Sequence, residues 1–240
     1  MSLQSVIITG ANRGIGLEFV RQLLATQSPP KHLIVTSRQS ANPELDQLVS
    51  TNPDRLHVLK LEVKDYDSYD GFVQKVATIV GSDGLDTLVN NAGILIYSNL
   101  QKVTAEDMLK NFEINSVTPL MLTKALLPLL KSASANRKTA VVNISSKVGS
   151  VEDNTSGGGY PYRSSKSALN MITKSLAIDL KADNIRAIAL HPGWVQTDMG
   201  GPNALITTGE SVSKMLDTIR AINDKTLGDF LNYDGKPIPL

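Results

Sequence analysis

Six short runs of aliphatic and β-branched residues, spaced so that a helix fits between neighbours, constrain this chain more than any other feature. They are SVIIT (Ser5 to Thr9), HLIVT (His32 to Thr36), LHVLKLEV (Leu56 to Val63), LDTLVNN (Leu85 to Asn91), AVVNIS (Ala140 to Ser145) and IRAIALH (Ile185 to His191). Near-continuous apolar runs of this length suit strands buried on both faces. The segments between them, such as GLEFVRQLLA and YDGFVQKVATIV, carry apolar residues three and four apart, the period of a helix with one buried side. Strand and helix in alternation predict an α/β fold, a doubly wound parallel sheet with helices on both faces. GDFLNYDG (Gly228 to Gly235) supplies a last short strand, for about seven in all, and residues 1–240 read as one domain.

Composition removes several classes of function. Lysine and arginine total 24 against 23 aspartate and glutamate, a formal charge of +1, so no strong field draws the chain to nucleic acid or to an anionic membrane. Without cysteine there is no disulfide framework, thiolate metal site or thiol nucleophile. His32, His57 and His191 are too scattered to form a local ligand pair, so no metal is expected. PLMLTKALLPLL (Pro119 to Leu130) is too short for a membrane span and is broken by Lys124. The opening MSLQSVIITG lacks the features of a signal peptide, and a cytoplasmic location is expected.

TGANRGIG (Thr9 to Gly16) follows the first strand and opens the first helix. Gly10 permits the tight turn, Gly14 lets backbone approach a pyrophosphate, and Gly16 allows close packing of helix on sheet, with the helix N-terminus facing the phosphates. No Lys-Ser or Lys-Thr pair follows, which argues against an NTP-hydrolysing loop. The carboxylate that would hold a ribose 2′-hydroxyl, expected about 20 residues on, is missing, and Ser37 and Arg38 stand there instead. Arg38, with Arg13 of the glycine turn, could pair with a 2′-phosphate, so the reading is NADP(H) rather than NAD(H).

Reduction of a carbonyl by a nicotinamide needs a proton donor from the protein. In YPYRSSK (Tyr160 to Lys166), Tyr162 and Lys166 are one helical turn apart and share a face. A lysine ammonium beside the phenol would lower its pKa from the ordinary value of about 10. Upstream, NISS ends a strand with Ser145 and Ser146, whose side chains alternate, so only one faces the site. Two glycine-rich segments, EDNTSGGG (Glu152 to Gly159) and GGPNALITTG (Gly200 to Gly209), follow strand ends and are plausible lids or plain connectors. Trp194, Met199, Ile94 and Tyr97 would either wall a substrate site or pack under loops, and Tyr160 would line an entrance or simply pack.

TGANRGIG, NNAG (Asn90 to Gly93), Asn115, NISS, YRSSK and HPGWVQT (His191 to Thr197) occur in the order and at the spacings of the short-chain dehydrogenases and reductases, which the chain resembles over nearly its whole length. YPYRSSKSALN, LHPGWVQTDMGG and NYDGKPIP resemble the sniffer-type carbonyl reductases within that family. The resemblance implies a tetrad: Tyr162 as acid, Ser146 as partner of the substrate oxygen, Lys166 as pKa modulator and ribose ligand, and Asn115 as anchor of a relay water. It implies cofactor contacts from Gly10, Asn12, Arg13, Gly14, Ile15 and Gly16, from Ser37 and Arg38, and from Asn91, Ala92 and Gly93. Pro192, Gly193, Val195 and Thr197 would lie at the nicotinamide end. Ser146, Tyr160, Trp194 and Met199 would face the substrate. Many relatives carry Asp where this chain has Glu62, so at that point the backbone of Val63 is the firmer contact. The long insertion of monomeric relatives before the catalytic tyrosine is missing, which leaves a homodimer or homotetramer open. The expected activity is NADPH-dependent reduction of a ketone, aldehyde or quinone; an NADP(H)-sensing binding protein and an NAD-dependent alcohol dehydrogenase are the alternatives.

Overall fold

Seven parallel strands form one sheet in the order β3-β2-β1-β4-β5-β6-β7 in the computed structural model, which describes residue 1, residues 3–38 and residues 42–240. The strands are β1 (Ser5–Ile8), β2 (His32–Ser37), β3 (Leu56–Lys60), β4 (Thr87–Asn90), β5 (Thr139–Ile144), β6 (Ile185–His191) and β7 (Phe230–Asn232). The helices are α1 (Gly14–Ala25), α2 (Pro43–Thr51), α3 (Tyr69–Val80), α4 (Ala105–Phe112), α5 (Thr118–Ser134), α6 (Tyr160–Asp179) and α7 (Thr208–Ala221). This is the Rossmann-type α/β architecture expected from the alternation of strand and helix.

Side chains on successive strand positions point to opposite faces, so each strand feeds two cores. Ile8, Val35, Val142 and Leu190 pack with Phe19 and Leu23 of α1 and Met215 and Ile219 of α7. Ile7, Leu88, Val141 and Ala187 pack with Phe72 and Val76 of α3, Leu122 and Leu126 of α5 and Leu176 of α6. Double burial explains why the strands read as unbroken apolar runs.

β1 pairs with β2 on one side and β4 on the other, so the chain reverses its winding there and a crevice opens at the carboxyl ends of the strands. At the opposite edge Asp86 fastens β1 to β4. Its Oδ2 accepts from the backbone N–H of Gln4 and Ser5, each at 2.9 Å, and its Oδ1 accepts from the Thr87 hydroxyl at 2.7 Å. Several strands are shorter than their runs suggest: β1 ends at Ile8, β3 stops at Lys60, β4 begins at Thr87 and β7 keeps only Phe230–Asn232. Leu61 to Val63 leave the ladder to line the crevice, so their apolar character serves a wall rather than a strand. A π-helical turn, Glu113–Val117, joins α4 to α5 and carries Asn115 at its centre. Among the described residues no helix is long and apolar enough to cross a membrane.

Candidate active site

The crevice encloses about 430 Å³ and is floored by the glycine turn. Gly10 has φ +65° and Gly14 φ +55°, backbone that other residues adopt at a cost. A Cβ on Gly16 would lie 2.5 Å from the Gly10 carbonyl oxygen and 2.7 Å from Asn91 Nδ2, so only glycine fits. The turn is held from outside. Asn91 Nδ2 donates to the carbonyls of Thr9 (2.9 Å) and Gly10 (3.2 Å), and the Thr9 hydroxyl accepts from the backbone N–H of Asn91 and Ala92. The Asn42 side chain, which also caps α2, donates to the Asn12 carbonyl. No side chain caps α1, which leaves the N–H groups of its first turn directed at the crevice, where a phosphate would be received.

Lys166 is brought to the same crevice by α6, and burial dominates its chemistry. Its Nζ donates to the Ile144 carbonyl at 2.8 Å and lies 5.7 Å from the centroid of the Tyr162 ring. Loss of hydration pulls the ammonium down to about 8. Burial likewise pushes the Tyr162 phenol up to about 12, opposed by a hydrogen bond with Ser146. The hydroxyl that opposes desolvation of the phenolate belongs to Ser146. The serine pair resolves by alternation. Ser145 turns toward α6, its hydroxyl donating to Asn170 Oδ1 at 2.6 Å, while Ser146 meets Tyr162.

Asn115 ties three elements together. Its Oδ1 accepts from the Ile94 N–H at 2.9 Å, and its Nδ2 donates to the Ile94 carbonyl at 2.9 Å and to Ser165 Oγ at 3.0 Å. Ser165 in turn donates to the Tyr162 carbonyl at 2.8 Å. Asn115 sits in the π-helical turn, where helix hydrogen bonding is altered.

Most of the residues expected around a dinucleotide line this crevice: Gly10, Asn12, Arg13, Gly14, Ile15, Gly16, Ser37, Arg38, Glu62, Val63, Asn91, Ala92, Gly93, Tyr162, Lys166, Pro192 and Thr197. Gly193 and Val195 do not. Gly193 (φ +86°) packs against Ile206 and Tyr233, and Val195 is buried beneath the same loop, bridged to Ile206. Of the substrate candidates, Met199 lines the crevice, whereas Ser146, Tyr160 and Trp194 stand outside its lining, Ser146 touching it through Tyr162. Trp194 is half-exposed and donates its indole N–H to the Gly200 carbonyl at 2.7 Å, which stiffens the loop above the glycine turn. Ile94 and Ser145, both singled out in the sequence, line it as well. Thr36, Leu61, Ile114, Ile144, Gln196 and Asp198 complete the lining. Their only sequence signal is position, next to a strand end or one of the motifs.

Arg13 and Arg38 each meet a carboxylate of this chain. Arg13 Nη1 lies 2.6 Å from Asp198 Oδ2 and Arg38 Nη1 lies 3.9 Å from Glu62 Oε2. Ahead of α6, Gly157, Gly158 and Gly159 all have positive φ, and Tyr97 lies against the last two; a Cβ on Gly159 would come within 2.7 Å of its ring.

A Rossmann-type sheet with an open glycine turn, and a Tyr–Lys pair on one helix facing the same crevice, define a nicotinamide-dinucleotide oxidoreductase. The chain belongs to the short-chain dehydrogenase/reductase family: the family model for short chain dehydrogenase matches residues 4–205. Carbonyl reductase Sniffer of D. melanogaster superposes with a TM-score of 0.97 at 40% identity, covering 100% of both chains. The NADPH-bound carbonyl reductase from chicken fatty liver superposes with a TM-score of 0.95 at 38% identity, again over 100% of both chains. C-signal of Myxococcus xanthus is 42% identical over 164 residues, 68% of this chain and 97% of that protein.

Proposed function

We propose that this oxidoreductase uses NADPH to reduce the carbonyl of a ketone, aldehyde or quinone to the alcohol. The observation that carries the reading is the placement of the Tyr162 phenol, hydrogen-bonded to Ser146 on the wall of the dinucleotide crevice with Lys166 Nζ 5.7 Å from its ring. A phenol so placed can hand its proton to a carbonyl oxygen held by the same serine. The full-length likeness to two carbonyl reductases supports the same direction.

When bound, NADPH supplies the hydride. Ser146 holds the carbonyl oxygen and Tyr162 delivers the proton to it as charge develops there. Lys166, 5.7 Å from the ring, stabilises the phenolate left behind. Asn115 and Ser165 keep the catalytic helix in register with the Ile94 segment. Ser37 and Arg38 in place of a carboxylate, with Arg13 opposite, support the choice of NADPH. The likeness to carbonyl reductases favours turnover over mere sensing of the cofactor.

NADPH oxidation with a panel of quinones, α-dicarbonyls and aromatic aldehydes tests the proposal. Turnover with NADPH above that with NADH is expected. Tight NADPH binding without turnover across the panel would favour a cofactor sensor, and faster alcohol oxidation with NAD would favour a dehydrogenase.

A further inference from the structure

We propose that Asp198 limits the preference of this chain for a 2′-phosphorylated cofactor by competing with that phosphate for Arg13. The inference rests on the NADP(H) reading above and adds a residue that acts against it.

Arg13 is the cation of the glycine turn and lines the crevice; so does Asp198, on the loop that follows β6. Their side chains meet at 2.6 Å across 185 residues of sequence. The two partners differ in freedom. Asp198 sits on a braced turn, in which the Gly201 N–H donates to the Thr197 carbonyl at 2.8 Å and the Gly200 N–H donates to the Thr197 hydroxyl at 3.1 Å. That turn is pressed onto the glycine turn, with Thr197 Cγ2 only 3.3 Å from where a Cβ on Gly14 would be. Both side chains are exposed, but the Arg13 arm is long, and among the described residues Asp198 is the one ion-pair partner of its guanidinium.

An exposed ion pair of this kind is weak, so a doubly charged phosphate can displace the carboxylate. It does so against Asp198's attraction for Arg13 and against its repulsion of the incoming charge. Both penalties fall on the 2′-phosphate and spare a cofactor with a free 2′-hydroxyl. Arg38 is less constrained, since its carboxylate partner Glu62 stands at 3.9 Å. Asp198 is therefore the specificity-determining carboxylate, acting through Arg13.

The test is a set of dissociation constants for NADPH and NADH, read by direct binding to the wild type, Asp198→Asn, Arg13→Gln and the double variant. Asp198→Asn is expected to tighten NADPH by about threefold, the scale of an exposed ion pair, and to leave NADH unchanged. In the Arg13→Gln background the same substitution is expected to do nothing, because the pair acts as a unit. Equal effects on the two cofactors, weaker NADPH binding by Asp198→Asn, or the same tightening with and without Arg13 would each overturn the proposal. A wild type that does not favour NADPH, with Arg13→Gln leaving both constants unmoved, would instead remove the NADP(H) reading itself.

Discussion

The Tyr162 phenol, pushed up by burial and hydrogen-bonded to Ser146, is placed to act as a proton donor. Tyr162→Phe is therefore expected to lower kcat by more than about 100-fold, the usual worth of a positioned acid, with the NADPH dissociation constant nearly unchanged in a binding titration. His191 makes a second residue-scale prediction. Burial, with Lys147 and Lys166 nearby, pulls its imidazole to about 4, and its Nδ1 is buried without a hydrogen-bond partner. The unfolded chain then binds more protons than the folded one between about pH 6.5 and pH 4, so stability falls as pH drops through that window. His191→Gln should remove roughly 2 kcal/mol of that acid loss, read as the difference in urea unfolding free energy between pH 7 and pH 4.5. At this scale the sequence was legible where a residue's placement follows from its neighbours in the chain. The four-residue step from Tyr162 to Lys166 and the alternation of Ser145 and Ser146 are such cases. It was not legible where a partner lies far away, as Asp198 does for Arg13, or where burial sets the environment, as it does at Tyr162.

The glycine turn and the β1–β4 junction are the elements on which the crevice depends. Gly16→Ala would drive a methyl group into the Gly10 carbonyl and the Asn91 side chain. We expect it to weaken NADPH binding at least about tenfold, since close backbone approach to the phosphates is what the glycine permits, as measured by titration. At the other end of the same strands, Asp86→Ala would strand the N–H groups of Gln4 and Ser5, with an expected loss of about 2–4 kcal/mol in urea unfolding. Elements themselves were readable from periodicity: the pattern YDGFVQKVATIV coincides with α3, and β6 has the bounds its apolar run suggested. Ends were less so. Apolar residues continue past Lys60 because Leu61 and Val63 line a wall, and no local pattern separates a wall from a strand.

For the molecule as a whole, ligand binding and self-association are the measurable properties. NADPH should raise the midpoint of thermal unfolding more than equal NADH, because stabilisation follows the ratio of ligand concentration to dissociation constant. α4 and α6 lie side by side and leave Leu109, Phe112, Met171 and Ile178 exposed. Apolar side chains of this size on two adjoining helices suit contact with a second copy, so sedimentation equilibrium should report a species larger than the monomer, and Leu109→Glu with Met171→Glu should shift it toward monomer. The strand order carries a further consequence, for synthesis. Every rung of the sheet is parallel, so no strand is completed by a hairpin with the next, and β1 acquires its second neighbour only when Thr87 can pair with Val6. Until that residue leaves the ribosome, the growing chain carries β1 with one open edge, a stage at which aggregation competes with folding.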